Sequence, residues 1–236
     1  MPDNSKKPKE LQNASPTEYD CHMNSHTELI DELIDHRYLT TPRIIDAIRQ
    51  TPRMPFLKKP HKMLHSLNSP LPIGFGQTIS QPLTVAFMLE LLQPRSGNKV
   101  LEIGYGSGWQ TAILCKLVCP PTGTRKGRVY AFEIIPQLAA LGKKNLERTI
   151  SKTQLRQVHL FSHDYRHSFE SYGSYDKIIA AAAFEHTPSE LISSLTIGGI
   201  LVYPTHAHDI RKIVRKTEAK YTEELFPGFI FVPITH

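Results

Sequence analysis

The residues best suited to chemistry in this chain of 236 residues follow a short apolar segment near its middle. Gly104, Gly106 and Gly108 stand at alternate positions. Glycines so placed allow a tight turn in which the backbone can approach a ligand without a Cβ in the way. Glu133 ends the next predicted strand, where a carboxylate can accept hydrogen bonds from both hydroxyls of a ribose. The pattern therefore predicts a site for a cofactor that contains a nucleoside.

The spacing of these glycines and two further acidic residues narrow the choice of cofactor. The pattern is G-x-G-x-G, whereas dinucleotide sites use G-x-G-x-x-G. S-adenosylmethionine (SAM) has no pyrophosphate that needs a third glycine at the helix start, so the pattern, with Glu102 just before it, favours SAM over NAD. Asp164 closes the following predicted strand and can reach the adenine amino group. Spacing alone leaves open a turn without ligand and, for Asp164, a solvated loop position.

A second group of polar residues lies upstream, in the segment LPIGFGQTISQP. The amide of Gln77 and the hydroxyls of Thr78 and Ser80 come just before a predicted helix that has Pro82 in its first turn. The free N–H groups at a helix N-terminus favour anions, including carboxylates. The segment is therefore a candidate site for a carboxylate substrate. The alternative for Ser80 alone is a hydroxyl that caps the helix.

The hydrophobic pattern predicts the elements that position these residues. From residue 97 onward, strands alternate with helices, which predicts an α/β fold with a mostly parallel, doubly wound sheet. The strands are predicted at 99–103, 128–133, 158–162, 175–182 and 200–203, with closing strands at 210–215 and 229–233. The helices between them are predicted at 108–118, 136–149 and 188–195.

Upstream of residue 97, the sequence predicts three helices joined by long loops. The first helix begins with a capping box from Ser25 to Glu28, and the second has Pro42 in its first turn. The third is the helix that begins at Pro82. The loops are predicted at 58–72 and 74–82, on the basis of their Lys, His, Pro and Gly content.

The domain organisation follows from these elements. Residues 1–24 are polar and lack periodicity, so they are predicted to be a mobile tail. The remainder, 25–236, is predicted to be one domain. It consists of an N-terminal helical extension over 25–96, on the substrate side, and a SAM-binding core over 97–236.

Composition and charge exclude several classes of protein. No apolar run approaches the roughly 18 residues that span a bilayer, and the N-terminus lacks the apolar core of a secretory signal. Three cysteines cannot form a disulfide framework, which predicts reduced thiols and a cytoplasmic location. The net charge of +6 raises the possibility of nucleic acid as a partner. The excess lies in 36–69, with seven basic residues and one acidic, and in 95–160, with eleven and three.

The motifs are similar to those of one enzyme family. LPIGFGQTISQP followed by VLEIGYGSGWQTAIL resembles the bacterial protein-L-isoaspartate (D-aspartate) O-methyltransferase family. The resemblance continues through RVYAFEIIPQLAALGKKNLER and YDKIIAAAAFEHTPSELISSLTIGGILVYP, and covers roughly residues 28–236. The glycine turn alone indicates a class I SAM-dependent methyltransferase, whereas the string GQTISQP is specific to this family.

The resemblance implies an activity and a set of site residues. The activity is methyl transfer from SAM to the free carboxylate of L-isoaspartyl and D-aspartyl residues in damaged proteins, which initiates their repair. The implied partners are isoaspartyl-containing proteins and peptides, with no nucleic acid, membrane or metal, and the chain is expected to be a monomer. Ser80 is implied as catalytic, with Gln77 and Thr78 also at the substrate. The implied SAM contacts are Glu102, Gly104, Gly106, Gly108, Glu133 and Asp164.

Departures from the family pattern keep two alternatives open. Tyr105 stands where the family usually has Thr, Phe184 where it has Pro, and Thr205-His206 where it has a Val-Gly pair. Phe184 and His206 motivate a first alternative, a related methyltransferase with a different carboxylate or small-molecule substrate. The second alternative is a non-enzymatic homologue that keeps the SAM fold. The stretch from Ala180 to Phe184 lacks the Asn/Asp-Pro-Pro-aromatic pattern that binds an exocyclic amine, which counts against an enzyme that modifies nucleic acid bases.

Overall fold

Three helices open the part of the chain that the structure describes, a computed structural model covering residues 25–120 and 126–235. The helices are α1 (His26–Asp35), α2 (Pro42–Arg49) and α3 (Pro82–Leu92). The predicted capping box of α1 is confirmed, since the Ser25 hydroxyl accepts from the Glu28 N–H and the Glu28 carboxylate accepts from the Ser25 N–H. The predicted tail over 1–24 lies outside the described residues.

A β-hairpin occupies a segment that the sequence predicts as loop. Strands β1 (Leu71–Gly74) and β2 (Gln77–Ile79) pair antiparallel, and a 3₁₀ helix covers Lys59–Leu64. The loop predictions for 58–72 and 74–82 are therefore wrong in part. The strands are only four and three residues long. That length is too short for an alternation of buried and exposed residues to stand out between Pro and Gly.

A seven-stranded sheet forms the centre of the structure. Its strands are β3 (Lys99–Ile103), β4 (Arg128–Phe132), β5 (Val158–Phe161), β6 (Tyr175–Ala180), β7 (Leu195–Pro204), β8 (Asp209–Arg215) and β9 (Tyr221–Pro227). They lie in the order β5-β4-β3-β6-β7-β8-β9. The first five pair in parallel, and β8 and β9 are antiparallel to their neighbours. The predicted mostly parallel α/β sheet is confirmed.

Helices cover both faces of this sheet. They are α4 (Trp109–Val118), α5 (Pro136–Thr149), α6 (Lys152–Leu155) and α7 (Ser189–Ser193). Successive strand residues enter separate cores: Val100 packs into the larger hydrophobic cluster and Leu101 into the smaller one on the other face. The larger cluster also includes Ile44 and Val85, so the upstream helices share their core with the sheet. Among the described helices, none has the length and hydropathy to cross a membrane.

The strands at the end of the chain differ from the prediction. The predicted closing strand at 229–233 is wrong. The last strand is β9, whose residues are mostly exposed because it lies at the sheet edge with little packed on it, so its hydrophobic pattern is weak. Phe229 instead stacks on Phe87 of α3, with ring centroids 5.0 Å apart. The strand predicted at 200–203 is longer in the structure, because β7 begins at Leu195 and continues through Gly198 and Gly199 with a shift in register.

Candidate active site

The two predicted groups of polar residues meet in one cleft of about 740 Å³, open to solvent. It lies where β3 and β4 end, since the carboxyl ends of parallel strands share one edge of the sheet. The hairpin residues Gln77, Thr78 and Ser80 form one side of it. The glycine turn and Glu133 form another, and residues 232–235 of the C-terminal segment complete it. A substrate held by the hairpin would therefore face a cofactor held by the glycine turn.

Glu133 is fixed in this cleft by backbone hydrogen bonds to both of its carboxylate oxygens. Oε2 accepts from the N–H of Gly106 at 3.0 Å, and Oε1 accepts from the N–H of Ile135 at 2.9 Å. Burial raises the pKa of this carboxyl group, although these N–H groups favour its charged form. Each oxygen retains a lone pair for a hydroxyl donor. The geometry thus suits the predicted contact with the two hydroxyls of a ribose.

The three positions of the turn require glycine for different structural reasons. All have positive φ, and Gly104 and Gly106 line the cleft. Gly108 is not among the lining residues and instead forms the N-cap of α4. A Cβ there would lie 3.0 Å from Leu146 Cγ and 3.1 Å from the Gly142 carbonyl oxygen. Gly108 therefore allows α5 to pack closely on the turn, and its predicted contact with SAM stays a prediction.

Glu102 lies fully buried beneath the turn and does not line the cleft. Its Oε1 accepts from the side-chain amide of Gln110 at 3.1 Å, and Gln110 does line the cleft. Burial raises the pKa of Glu102 to about 7, although Thr111 and Gln110 favour its charged form. Oε2 has no hydrogen-bond partner in the described part of the chain. The structure therefore places this predicted cofactor residue one layer behind the cleft, with Gln110 between.

Replacing Glu102 with Gln is expected to stabilise the ligand-free protein above neutral pH. An acid whose pKa rises from 4.5 to about 7 on folding destabilises the folded state as pH rises through that interval, because the unfolded chain ionises first. The gain should be near zero at pH 4 and approach about 3 kcal/mol at pH 8. Denaturant unfolding at the two pH values measures it, and an equal gain at both would contradict the argument.

The polar side chains of the hairpin make no hydrogen bonds to the described part of the protein. Gln77 and Ser80 are half-buried and Thr78 is exposed. None of the three side chains has a hydrogen-bond partner within residues 25–120 and 126–235. Ser80 does not cap α3, so the alternative predicted for its hydroxyl is not what the structure has. These groups remain available to a ligand in the cleft.

Arg53 holds the hairpin from beneath, and the sequence analysis missed it. Its guanidinium is fully buried and donates to the carbonyl oxygens of Ile79 and Ser80, at 3.1 and 2.9 Å, and also to those of Leu67 and Ser69. The guanidinium carbon lies 5.6 Å from the ring centroid of Trp109. Burial lowers the pKa of Arg53 to about 9, so the group stays charged at neutral pH. Its partners are backbone atoms 14 to 27 residues away, a relationship that leaves no motif in the sequence.

Comparison with known proteins identifies the family. The sequence model of protein-L-isoaspartate (D-aspartate) O-methyltransferase matches residues 24–236. The chain belongs to this family. It is 36% identical over 214 residues to protein-L-isoaspartate O-methyltransferase of Staphylothermus marinus, covering 89% of this chain and 94% of that one. The Gloeobacter violaceus protein of the same name is 35% identical over 210 residues, covering 88% and 97%.

A solved structure shares the fold of this isoaspartate methyltransferase family member. It comes from a Plasmodium falciparum protein assigned provisionally to the same activity, in complex with S-adenosyl-L-homocysteine. The TM-score is 0.78 at 20% identity, over 90% of this chain and 99% of that one. The similarity confirms a class I methyltransferase fold, and it extends over the N-terminal helices as well as the sheet.

Asp164 is a predicted cofactor residue that forms an ion pair with a neighbouring arginine. It is not among the residues that line the cleft. Arg166 donates to its carboxylate from Nε at 3.1 Å and also from Nη2, and these bonds lower the pKa of Asp164. Asp164 also accepts from the Arg166 backbone N–H, which starts a 3₁₀ helix at Tyr165. Its predicted contact with adenine in this methyltransferase stays a prediction.

The side chain of Tyr105, which departs from the family pattern, packs against α5. Its hydroxyl donates to the Ala139 carbonyl oxygen at 3.2 Å, and the side chain is buried. A Cβ on Gly142 would lie 2.8 Å from Tyr105 Cε2 and 2.6 Å from the Gly106 carbonyl oxygen. Gly142, in the middle of α5, therefore makes room for the ring, which the structure accommodates by helix packing.

Replacing Gly142 with Ala should destabilise this methyltransferase by about 2 kcal/mol, although Ala is favoured over Gly in helices by about 1 kcal/mol. The added Cβ displaces either the Tyr105 ring or the turn at Gly106. In a Tyr105→Thr background the loss should be smaller, because two of the three closest atoms are gone. A double-mutant cycle by denaturant unfolding measures the difference. Additive losses would show that the ring does not set the requirement for glycine.

The other two departures from the family form one structural unit away from the cleft. Phe184 is buried and packs edge-to-face on Tyr203, with ring centroids 5.7 Å apart. The Phe184 carbonyl oxygen accepts from the His206 N–H at 3.0 Å, and the Thr205 hydroxyl donates to Asp209 at 2.6 Å. None of Phe184, Thr205 and His206 lines the cleft. The side chains of Phe184 and Thr205 therefore serve the β7–β8 turn, to which the exposed His206 contributes its backbone N–H.

Proposed function

We propose that this protein transfers the methyl group of SAM to the free carboxylate of L-isoaspartyl and D-aspartyl residues in damaged proteins, and so initiates their repair. The observation that carries the proposal is the single cleft in which the hairpin hydroxyls face the glycine turn and Glu133. Membership of the family supports the same activity. Its partners are polypeptides that carry an isoaspartyl residue.

The residues present fit SAM as the cofactor. Glu133 offers a carboxylate with oxygens oriented by two N–H groups, which suits the ribose hydroxyls. Gly104 and Gly106 present backbone without a side chain to the cleft. Gln110 also lines the cleft, and its amide is held by a hydrogen bond to the buried Glu102. We assign the ribose to Glu133 and the methionine part of SAM to the backbone of the turn, and we keep Asp164 as the residue proposed to contact adenine. When bound, SAM supplies a sulfonium methyl group that is already activated for transfer.

The role of the protein in this chemistry is to position the acceptor. A carboxylate is ionised at neutral pH, so no base is needed to generate the nucleophile. The hydroxyls of Ser80 and Thr78 can both donate to the same oxygen of the substrate carboxylate. The other oxygen is then free to attack the methyl group. Correct positioning alone is worth effective molarities of about 10⁵–10⁸ M. We propose Ser80 as the orienting donor closest to the reaction, with Thr78 and Gln77 beside it.

The decisive experiment offers labelled SAM to an isoaspartyl peptide and to its normal aspartyl counterpart. The proposal predicts base-labile label in the isoaspartyl peptide only. Measurement of SAM binding by calorimetry accompanies it as a control for folding. Binding of SAM without transfer to either peptide would refute the proposal, and equal transfer to both would point to a general carboxyl methyltransferase.

A further inference from the structure

The tip of the β1–β2 hairpin carries a side chain that contributes little to stability. Phe75 stands between Gly74 and Gly76, and all three have positive φ, with Phe75 at 56°. A bulky residue seldom adopts this conformation, which favours Gly or Asn. The Phe75 side chain is also 55% exposed, so burial offsets little of that strain. A residue that is both strained and exposed points to contact with something outside the chain.

A lysine from the preceding segment lies over the same tip. Lys58 Nζ is so close to Gly74 that a Cβ there would be 2.6 Å away. Lys58 is exposed, and it forms no ion pair with any residue the structure describes. The sequence contains no Asp or Glu between Asp46 and Glu90, but five Lys and Arg. The tip therefore presents an exposed aromatic residue directly after the glycine that the ammonium group approaches, with no carboxylate nearby in the sequence to neutralise that charge.

This tip lies next to the site of methyl transfer along the same hairpin. Gln77, two residues after Phe75, already lines the cleft, and Thr78 and Ser80 follow on the same strand and its end. Arg53 fixes the base of the hairpin through the carbonyl oxygens of Ile79 and Ser80. A polypeptide whose isoaspartyl carboxylate reaches Ser80 must extend out of the cleft past this hairpin or its opposite wall.

We propose that Lys58 and Phe75 form a subsite for the residues that flank the isoaspartyl residue, with Phe75 taking an apolar side chain and Lys58 an acidic one. This proposal rests on the proposed function. It concerns a neighbouring surface rather than the transfer itself. The ligand is an extended, locally unfolded polypeptide, because only such a chain can place a flanking side chain against the hairpin tip while its modified residue enters the cleft.

The test uses three isoaspartyl peptides of equal length, flanked by Leu, by Glu, or only by Ser and Gly. Wild-type protein should have a KM for the Leu peptide about threefold to tenfold below that for the Ser/Gly peptide. For the Glu peptide we expect KM to be about twofold to fivefold lower, and less so at high salt. Phe75→Asn should abolish the Leu preference alone, and Lys58→Met the Glu preference alone.

Two variants elsewhere on the surface serve as matched controls. Leu225 of β9 is 54% exposed, close to the value for Phe75, and does not line the cleft, so Leu225→Asn should keep both preferences. Lys216 follows β8, which runs antiparallel to β7 and so ends on the side of the sheet away from the cleft. Lys216→Met therefore controls for the loss of one charge. Phe75→Asn should not lower the melting temperature, because Asn tolerates positive φ.

Each other outcome overturns the proposal. Equal KM values for the three peptides on wild-type protein would show that the tip does not contact the flanks. An increase in KM for all peptides in the two variants would show a general disturbance of the hairpin. A lower melting temperature for Phe75→Asn would make Phe75 structural. Failure of wild-type protein to methylate even the Ser/Gly peptide would refute the proposed function, and the subsite with it, whereas transfer without preference refutes the subsite alone.

Discussion

Replacement of Ser80 by Ala is expected to lower kcat for an isoaspartyl peptide by about 100-fold or more, with the Kd of SAM within about twofold of wild type. Ser80 acts by positioning the acceptor carboxylate, and misplacement of a reacting group by about 1 Å can cost about 100-fold in rate. The Ser80 hydroxyl lines the cleft and has no partner in the described chain, so its loss breaks no internal bond. Arg53 binds the backbone carbonyl of Ser80, a contact that alanine retains.

Steady-state kinetics with calorimetry separates this role from a structural one. Ser193→Ala is the matched control, because it removes a hydroxyl that bonds only within α7, at the Ser189 carbonyl oxygen. That variant should have wild-type kcat. A parallel loss of SAM binding and turnover in Ser80→Ala would mean that Ser80 supports the fold of the cleft. Wild-type kcat in Ser80→Ala would remove it from the reaction altogether.

The cofactor half of the site could be predicted from sequence because its signals are local. A buried strand, a glycine turn and an apolar, almost wholly buried helix follow one another within residues 99–118, so the signal is continuous over several residues. Gly104, Gly106 and Glu133 line the cleft, while their contacts with SAM stay a prediction. The sequence could not show how far each residue lies from the surface of the cleft. Glu102 is one layer behind the cleft, and Gly108 packs against α5.

The substrate half could be predicted only as a motif. Gln77, Thr78 and Ser80 were expected at the substrate, and the structure places them in the cleft. Their hairpin was predicted as loop, because its strands are short and its turn depends on three successive positive φ angles. Asp164 illustrates the reverse difficulty. It was predicted to close the strand but lies three residues after the end of β5, and its pairing with Arg166 depends on a 3₁₀ turn that no periodicity indicates.

Arg53 is the residue that holds the substrate side of the site in place, and it could not be predicted from the sequence. Its replacement should have the largest effect on the hairpin. Arg53→Met is expected to cost about 3 kcal/mol or more in stability. It removes the guanidinium donors to the carbonyl oxygens of Ile79 and Ser80, and each such hydrogen bond lost from a buried acceptor costs about 1–3 kcal/mol. It should also lower kcat/KM for an isoaspartyl peptide more than it weakens SAM binding. The reason is that these carbonyls belong to the substrate side of the cleft.

Arg53→Lys tests whether geometry or charge is the requirement. A lysine keeps the cation but concentrates its three donors on one nitrogen, whereas the guanidinium contacts four carbonyl oxygens from two nitrogens. If geometry matters, Arg53→Lys should recover part of the stability and little of the loss in kcat/KM. Recovery of both to wild-type values would mean that a buried positive charge beneath Ser80 is sufficient. Every hydrogen bond that the structure describes for Arg53 ends on a backbone carbonyl oxygen, so a loss of kcat/KM in Arg53→Lys with SAM binding kept would show that the backbone of Ser80 is positioned from below.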